Sequence, residues 1–227
     1  MRRILRIALA LSLLAAGLAA QEDQAPPPAD QESHHRILLQ NRYIRVVETY
    51  VPAGDSTAFH THTRERIGVV VGPAPIEERI QGRIAVEERP EPAGTLHAGD
   101  YTQHPFTHRQ WNIGERPYRV IAVELLQPLP NPPPEPKGPG DPDAQTPHLE
   151  AFRYVLPPGG ASAMHTHTRP YLILAATSMK LKMIAPDGSS RIEDVLPGDF
   201  HWVEQKVTHE LWNAGQEQGQ VVEIELK

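Results

Sequence analysis

The sequence contains no cysteine, and this absence removes several kinds of chemistry at once. Disulfide bonds, thiolate zinc sites and cysteine nucleophiles are excluded. A lipoprotein anchor is excluded as well, because no thiol is present to carry the lipid. Helical periodicity is also missing. No stretch of about 10–15 residues repeats apolar side chains at the helical spacing, so long amphipathic helices are not expected.

Basic side chains are in the minority, with 22 lysines and arginines against 28 aspartates and glutamates and a formal net charge of −6. Nucleic-acid binding draws much of its affinity from a basic surface, so a nucleic-acid partner is not expected. No cluster of lysines and arginines predicts a lipid-binding patch either. The remaining partners are a small-molecule substrate or ligand, a metal ion or another protein. Formation of a homo-oligomer is left open.

The amino terminus has the composition of an export signal. Arg2, Arg3 and Arg6 flank the start of an apolar run over residues 4–20, which ends in small residues. A basic start, an apolar middle and a small-residue end predict a signal peptide over residues 1–20. We therefore expect a periplasmic or secreted protein with no stable membrane association after cleavage. The alternative is a membrane anchor, for which the run lies at the short limit.

The remainder of the sequence predicts two β units joined by a linker. Residues 21–36 are polar and proline-containing, which predicts a flexible leader with a solvated His34-His35 pair at its end. Short runs of β-branched and aromatic residues between turn signals then predict strands in residues 37–127 and 149–227. The proline-rich segment 128–148 predicts an extended linker, because a sheet does not accept so many missing N–H donors.

Both units contain a pair of histidines separated by one residue, His60-x-His62 and His165-x-His167. Side chains two residues apart on a strand point to the same face, so each pair directs two imidazoles into one space. A third histidine follows each pair, His108 in the first unit and His209 in the second. Each of these histidines is followed by an asparagine four residues later. Three histidines of this kind predict a site for a divalent transition metal in each unit.

Other segments repeat in the same order as the histidines. The turn Gly99-Asp100 matches Gly198-Asp199, and the apolar run 120–125 matches 221–226. Blocks that recur in order and at nearly constant spacing indicate an internal duplication.

The repeated motifs resemble those of the cupin superfamily. The first half contains Gly54-x5-His60-x-His62 and later His108-x3-Asn112, and the second half contains Gly159-x5-His165-x-His167 and later His209-x3-Asn213. Two such halves resemble a bicupin, which implies two double-stranded β-helix barrels of jelly-roll type in tandem. The resemblance further implies a metal, namely iron, manganese, zinc, nickel or copper, bound by His60, His62, His108 and Glu65 and by His165, His167 and His209.

The resemblance implies two classes of function. The first is a metal-dependent dioxygenase or decarboxylase of a small organic substrate, and the alternative is a non-catalytic module that binds a metal or a small ligand. Two departures from the family bear on the metal site. Only two residues separate His62 from Glu65, where the family has three or four, and Pro170 replaces the carboxylate in the second half. We expect the first barrel to carry the activity and the second to hold zinc or to be structural.

Several further residues are candidates for roles beside the metal. Arg64 and Arg169 would suit a carboxylate substrate, with a surface ion pair as the alternative. His104 and His201 are candidates for an acid or base, or for exposed positions. We expect the two equivalent tryptophans to pack in the core and the two asparagines to orient a ligand or hold a turn. These four are Trp111, Trp212, Asn112 and Asn213.

Overall fold

The computed structural model describes residues 25–83, 86–89, 91–133 and 140–227. This part of the chain contains eighteen β-strands and a short 3-10 helix, Ala29–Gln31, and it has no α-helix. The prediction of an all-β protein is therefore confirmed. None of the described helical residues forms a segment long and apolar enough to span a membrane. The predicted signal peptide, residues 1–20, lies outside the described residues.

The first barrel consists of two sheets that face each other. Its strands among the described residues are β1 (His35–Gln40), β2 (Ile44–Val51), β3 (His60–His62), β4 (Glu65–Gly72), β5 (Ile76–Ile80), β6 (Val86–Arg89), β7 (Leu96–Asp100), β8 (Phe106–Asn112) and β9 (Tyr118–Leu125). The larger sheet has the order β1-β2-β9-β4-β7 and the smaller one the order β3-β8-β5-β6. The pairings between these strands are antiparallel, which is the arrangement of a jelly roll.

The second barrel repeats this topology strand for strand. Its elements are β10 (Ala144–Gln145), β11 (Leu149–Leu156), β12 (His165–His167), β13 (Tyr171–Ala175), β14 (Met179–Ile184), β15 (Ser190–Val195), β16 (Phe200–Val203), β17 (Val207–Asn213) and β18 (Gly219–Leu226). The sheets have the orders β10-β11-β18-β13-β16 and β12-β17-β14-β15. Strand β10 thus corresponds to β1 at the sheet edge, β11 corresponds to β2, and β18 corresponds to β9.

The two large sheets pack against each other through one shared apolar core. Side chains alternate along a strand, so one face of each large sheet contributes to this core while the other faces its own barrel. Ile67 and Ile121 of the first barrel and Leu172 and Ile224 of the second belong to the shared cluster, each at most 2% exposed. Apolar burial of this kind is the main force that holds the barrels together.

The barrel interiors differ in how far apolar side chains fill them. The interior cluster of the second barrel contains nine buried apolar residues: Leu156, Tyr171, Ile173, Ala175, Met179, Leu181, Val195, Leu211 and Val221. In the first barrel the corresponding cluster contains six: Val51, Val70, Ala74, Ile76, Tyr118 and Val120. Polar side chains occupy more of the first interior.

The prediction of a flexible leader over residues 21–36 is wrong for its second half. Thr61 N donates a hydrogen bond to Pro27 O at 2.9 Å, so the leader lies along strand β3. The buried carboxylate of Glu32 accepts hydrogen bonds from Ala58 N at 3.1 Å and from His35 Nδ1 at 2.8 Å. His35 itself begins strand β1. Because a buried carboxylate must be paired, Glu32 fixes the leader to the barrel.

The described parts of segment 128–148 are bound to both barrels. Strand β10 pairs with β11 at the edge of the second large sheet. Thr146 Oγ1 and His148 Nδ1 donate hydrogen bonds to the carboxylate of Glu65 in the first barrel. The segment therefore connects the barrels through specific contacts as well as through the chain.

Candidate functional site

The histidine pair of the second barrel meets the third histidine across a strand pairing. In the antiparallel ladder between β12 and β17, His165 lies directly opposite His209. Directly opposed residues share a face of the sheet, and His167 shares that face because it lies two residues after His165. As a result, His165 Nε2 and His209 Nε2 are 3.1 Å apart. All three histidines are buried in the barrel.

A fourth donor, Glu223, projects from β18 into the same space. Its Oε2 lies 2.9 Å from His165 Nε2 and 3.3 Å from His167 Nε2, and its Oε1 lies 3.0 Å from His209 Nε2. One donor atom from each of these four residues lies within 4.8 Å of every other. Glu223 and His167 are completely buried. The set therefore combines three imidazoles and one carboxylate in an enclosed space.

Acceptors outside the cluster orient the imidazoles. His165 Nδ1 donates to the backbone oxygen of Ala163 at 2.9 Å, which leaves the lone pair on Nε2. His167 Nδ1 lies 3.2 Å from the carboxylate of Glu225. The ring of Tyr171 stacks on His167 with 3.8 Å between centroids. Outer contacts of this kind are typical of histidines that bind a metal, because they fix the tautomer and the ring orientation.

Two buried polar atoms of the cluster indicate whether a metal ion would fit between its four residues. His167 Nε2 and Glu223 Oε1 are buried and have no hydrogen-bond partner in the described part of the chain. Both atoms have a short contact within the cluster, but the angles of these contacts are not those of hydrogen bonds. Buried polar atoms without a partner cost free energy. A bound cation would satisfy both atoms, so the residues fit a metal.

The carboxylate of Glu223 and the imidazole of His167 shift each other's pKa. Burial alone would raise the pKa of Glu223, but its short contacts with the three histidines hold that pKa well below its ordinary value. Burial would lower the pKa of His167, and its contacts with the carboxylates of Glu223 and Glu225 outweigh this effect and raise the pKa to about 9. A proton on His167 therefore offsets part of the negative charge when no metal is bound.

The first barrel brings four histidine rings together. His60 lies opposite His108 in the ladder between β3 and β8. The ring centroid of His60 lies 5.0 Å from that of His62, 4.6 Å from that of His108 and 4.7 Å from that of His35. Donor atoms of His35, His60 and His62 lie within 4.8 Å of one another, and His62 Nε2 is 3.1 Å from His108 Nε2. His35, expected to be solvated, is part of this cluster.

Hydrogen bonds orient two imidazoles of the first barrel, and burial disfavours the protonated form of His60, His62 and His108. His60 Nδ1 donates to Ala58 O at 2.9 Å, and His108 Nδ1 donates to Glu78 Oε1 at 2.7 Å. Burial, and then the nearby His108 and His35, lower the pKa of His60 to about 3. Burial also lowers the pKa of His62 and of His108. Neutral imidazoles of this kind act as metal ligands or as hydrogen-bonding groups.

The prediction that Glu65 completes the first metal site is wrong. Its carboxylate accepts hydrogen bonds from Thr146 Oγ1 and from His148 N and Nδ1, on the side of β4 that faces the linker. The next residue, Arg66, points into the barrel, and its Nη1 lies 3.4 Å from His62 Nε2. A turn between β3 and β4 sets this alternation, and a shift of one residue reverses the face of every side chain.

The structure also places the other candidate residues. Arg64 and His104 are exposed and lie outside the histidine cluster, which removes the basis for assigning them roles in it. His201 is exposed beside Glu193, 3.4 Å away. Arg169 is buried but donates to the backbone oxygen of Pro133, at 3.0 Å from Nη2. Within the described part of the chain, none of these four side chains therefore contacts the histidine clusters.

The equivalent asparagines and tryptophans have structural contacts. Asn112 Nδ2 donates to Val51 O at 3.0 Å and to Arg116 O at 2.7 Å, and Asn213 makes the matching contacts in the second barrel. Of the two alternatives for these asparagines, the structure favours the turn. Trp111 is exposed, contrary to the expectation of core packing, and Trp212 packs beside Lys182.

The sequence reasoning missed Glu223 and Arg66, although both left a signal. Strand β18 reads Val221-Val-Glu-Ile-Glu-Leu226, with two acidic residues at alternate positions of an otherwise apolar strand. Acidic side chains are rarely buried without a charged partner or a metal, so this pattern indicates a polar interior. For Arg66 the signal was weaker, because the direction of its side chain depends on the turn before β4.

Comparisons with known proteins agree with this architecture. No protein-family model and no curated protein matches the chain. Its structure is similar to AerE from Microcystis aeruginosa, with a TM-score of 0.54 and 13% identity over 86% of this chain and 98% of that protein. A cupin 2 conserved barrel domain protein from Leptotrichia buccalis gives a TM-score of 0.52 and 12% identity, over 85% and 88%.

A third similar structure is the oxalate decarboxylase of Bacillus subtilis, with a TM-score of 0.52 and 12% identity over 82% of this chain and 69% of that protein. Identities this low show the fold alone. Two jelly-roll barrels, each with a buried histidine cluster, define a duplicated β-barrel protein with candidate metal sites. The chain shares its fold with the cupin 2 barrel protein and the other similar structures, and the predicted architecture of two tandem jelly-roll barrels is confirmed.

Proposed function

We propose that the protein binds one divalent transition metal per chain, in its second barrel, through His165, His167, His209 and Glu223. The observation that supports this proposal is the convergence of four buried donor atoms, each within 4.8 Å of the others. Two of these residues keep a buried polar atom without a hydrogen-bond partner, as described above. A cation shared by all four donors would remove that cost.

The donor set favours a hard or borderline metal. A carboxylate beside three imidazoles lowers the net charge of a divalent site and suits manganese or iron better than an all-nitrogen site would. The similar oxalate decarboxylase of Bacillus subtilis has Mn(II) centres. We therefore propose manganese or iron ahead of zinc, nickel or copper.

The first barrel is the weaker metal site. It offers imidazoles from His35, His60, His62 and His108 but, among the described residues, no carboxylate within the group of donor atoms. The guanidinium of Arg66 lies 3.4 Å from His62 Nε2 and would repel a cation there. This reverses the expectation from the sequence, in which the first barrel had the carboxylate and the second had none.

We further propose that the mature protein acts in the periplasm or is secreted. The basic, apolar and small-residue segments of residues 1–20 support this location. Sequencing the amino terminus of the exported protein tests it. A mature chain that begins near residue 21 would agree with the proposal, whereas an exported chain that retains Met1 would contradict it.

A second candidate function is a metal-dependent decarboxylase or dioxygenase of a small organic substrate. Tyr154 supports it, because its hydroxyl lies 3.5 Å from His165 Nε2 at the metal donors. Burial, and then the charge of Glu223, raise the pKa of Tyr154, so it remains a proton donor at neutral pH. A bound metal would supply Lewis-acid or redox chemistry, while Tyr154 would hold a proton beside the substrate. The alternative is a non-catalytic binding module.

Metal analysis of untagged protein tests the proposal. We expect one equivalent of metal in the wild type, less than 0.1 equivalent in His167→Ala, and one equivalent in His62→Ala. A metal that is retained in His167→Ala and lost in His62→Ala would overturn the assignment. Oxygen uptake and carbon dioxide release with small mono- and dicarboxylates then separate an enzyme from a binding module. The control is Tyr154→Phe, which should keep the metal and lose any turnover.

A further inference from the structure

Three residue exchanges distinguish the interior of the first barrel from that of the second. In the large sheets, Arg66 pairs with Glu124 and Gly68 pairs with Ala122 across the β4–β9 ladder. At the matching places of the β13–β18 ladder, Tyr171 pairs with Glu225 and Ile173 pairs with Glu223. The first barrel thus has arginine in place of tyrosine, glycine in place of isoleucine, and alanine in place of the metal-binding glutamate.

These exchanges remove volume and reverse the local charge. Gly68 and Ala122 have almost no side chain at the places of Ile173 and Glu223. The guanidinium of Arg66 lies over the open position, with Nη2 3.3 Å from where a β-carbon of Gly68 would be. A negative charge at the centre of one barrel is therefore replaced by a positive charge in the other.

The first barrel contains a cavity of about 280 Å³ beside this arginine. Arg66, His62, His108 and Tyr101 line it, together with His35 and His97. This volume is slightly below the range of pockets for drug-sized ligands, so it suits a small molecule. The polar lining means that such a molecule would form hydrogen bonds as well as apolar contacts.

Arg66 has no ion-pair partner among the described residues. The side chain has one hydrogen-bonding contact there, from Nη1 to His62 Nε2, and its Nε is buried without a partner. Glu124 lies next to it in the ladder, but that carboxylate receives Nε and Nη2 of Arg45 at 3.0 and 2.7 Å. Arg45 also forms an ion pair with Asp30, so this arginine has two carboxylate partners, in contrast to Arg66. A guanidinium left partly unpaired in a cavity is suited to an anion from outside the chain.

We propose that the cavity of the first barrel binds a small organic anion through Arg66, with a mono- or dicarboxylate as the ligand class. The planar guanidinium matches a carboxylate in bidentate geometry. The hydroxyl of Tyr101 and the imidazoles of His62 and His108 line the same cavity and can bond to the remaining polar atoms of the ligand. Glu78 also lines it, and His108 Nδ1 engages its carboxylate at 2.7 Å. The proposal does not depend on a metal in the second barrel.

Calorimetric titration with acetate, oxalate, malonate and succinate tests this site. We expect at least one of these carboxylates to bind the wild type. Arg66→Gln should weaken that binding by roughly 10- to 100-fold, because the charged hydrogen bonds of the guanidinium are lost. Arg64→Gln is the matched control, since Arg64 is exposed two residues away and should leave the affinity unchanged. Ala122→Glu should abolish binding, because the new carboxylate would pair with Arg66.

Three outcomes decide the matter. Failure of all four carboxylates to bind the wild type would overturn the proposal, and so would equal affinities in the wild type and Arg66→Gln. A loss confined to Arg66→Gln and Ala122→Glu, with the thermal unfolding midpoint preserved in Arg66→Gln, supports it. The same titrations on His167→Ala separate this site from the proposed metal centre. Anion binding should survive there whether or not the second barrel proves to hold a metal.

Discussion

Ala122 and Glu223 lie at the same point of the two barrels, each on the strand that forms the middle of its large sheet. Ala122 faces Gly68 across the ladder, and Glu223 faces Ile173. This single exchange determines which barrel offers a carboxylate to its histidines. The two halves have the same topology and the same three motif histidines, yet their interiors are suited to ions of opposite charge.

The first prediction concerns removal of the metal. A ligand present at about 100 times its Kd stabilises the folded state by roughly 2.7 kcal/mol. In a chain of this size that corresponds to roughly 5–10 °C in the unfolding midpoint. We therefore expect EDTA to lower the midpoint of the wild-type protein by about this amount in differential scanning calorimetry.

Glu223→Gln provides the control for that measurement. Glutamine keeps the shape of the side chain but loses the negative charge that a cation needs. We expect EDTA to change the midpoint of this variant by less than about 2 °C. A wild-type-sized response to EDTA in Glu223→Gln would contradict the assignment of Glu223 as a ligand.

The second prediction follows from the protonation of His167. Its pKa is raised to about 9 in the metal-free protein, so the imidazole is protonated at pH 7. An imidazole must be neutral to bind a metal, and the carboxylate of Glu223 is already ionised because its pKa is lowered. Metal binding at pH 7 should therefore release about one proton. The affinity should rise by about tenfold per pH unit up to pH 9 and then level off.

Titration calorimetry in buffers of different ionisation enthalpy measures this proton release. The slope of the observed enthalpy against the buffer enthalpy should correspond to about one proton at pH 7 and to much less above pH 9. A slope near zero at pH 7 would show that His167 is neutral before the metal arrives.

The third prediction assigns Glu65 a structural role. This buried carboxylate accepts three hydrogen bonds from Thr146 and His148 of the linker. Glu65→Gln should lower the free energy of unfolding by roughly 1–3 kcal/mol, because glutamine cannot accept all three bonds equally well. Denaturant titration measures the loss, and metal analysis of the same variant should still give one equivalent. A variant with unchanged stability and no metal would restore Glu65 as a ligand.

The sequence was sufficient to predict the duplicated β architecture and the location of the histidines. Alternation within a strand places His165 and His167 on one face regardless of the rest of the fold. The partner strand and its register then decide what else reaches that space. Glu223 comes from a strand far along the chain, and no local rule connects it with the histidine pair. Such long-range neighbours become visible only when the sheet order is known.

The error at Glu65 has a different physical origin. The alternation rule holds within a strand, but a turn separates His62 from the start of β4. The number of residues in that turn decides whether residue 65 or residue 66 faces the interior. Motif spacing alone therefore does not decide which of these two neighbouring residues, which have opposite charge, faces the interior. The same argument explains why Arg64, one of the two candidate arginines for a carboxylate, is exposed while Arg66 lines the cavity.

The last prediction is that two substitutions turn the first barrel into a metal site. In the double variant Arg66→Tyr/Ala122→Glu, the first barrel acquires the tyrosine and the glutamate of the second, and removal of the guanidinium frees the space over Gly68. The new carboxylate should face His60, His62 and His108 as Glu223 faces its own three histidines. We expect metal analysis to give two equivalents per chain, with carboxylate binding lost. The single variant Arg66→Tyr should stay at one equivalent, because it lacks the carboxylate. A folded double variant that still binds one equivalent would show that the exchange at residue 122 does not control metal binding.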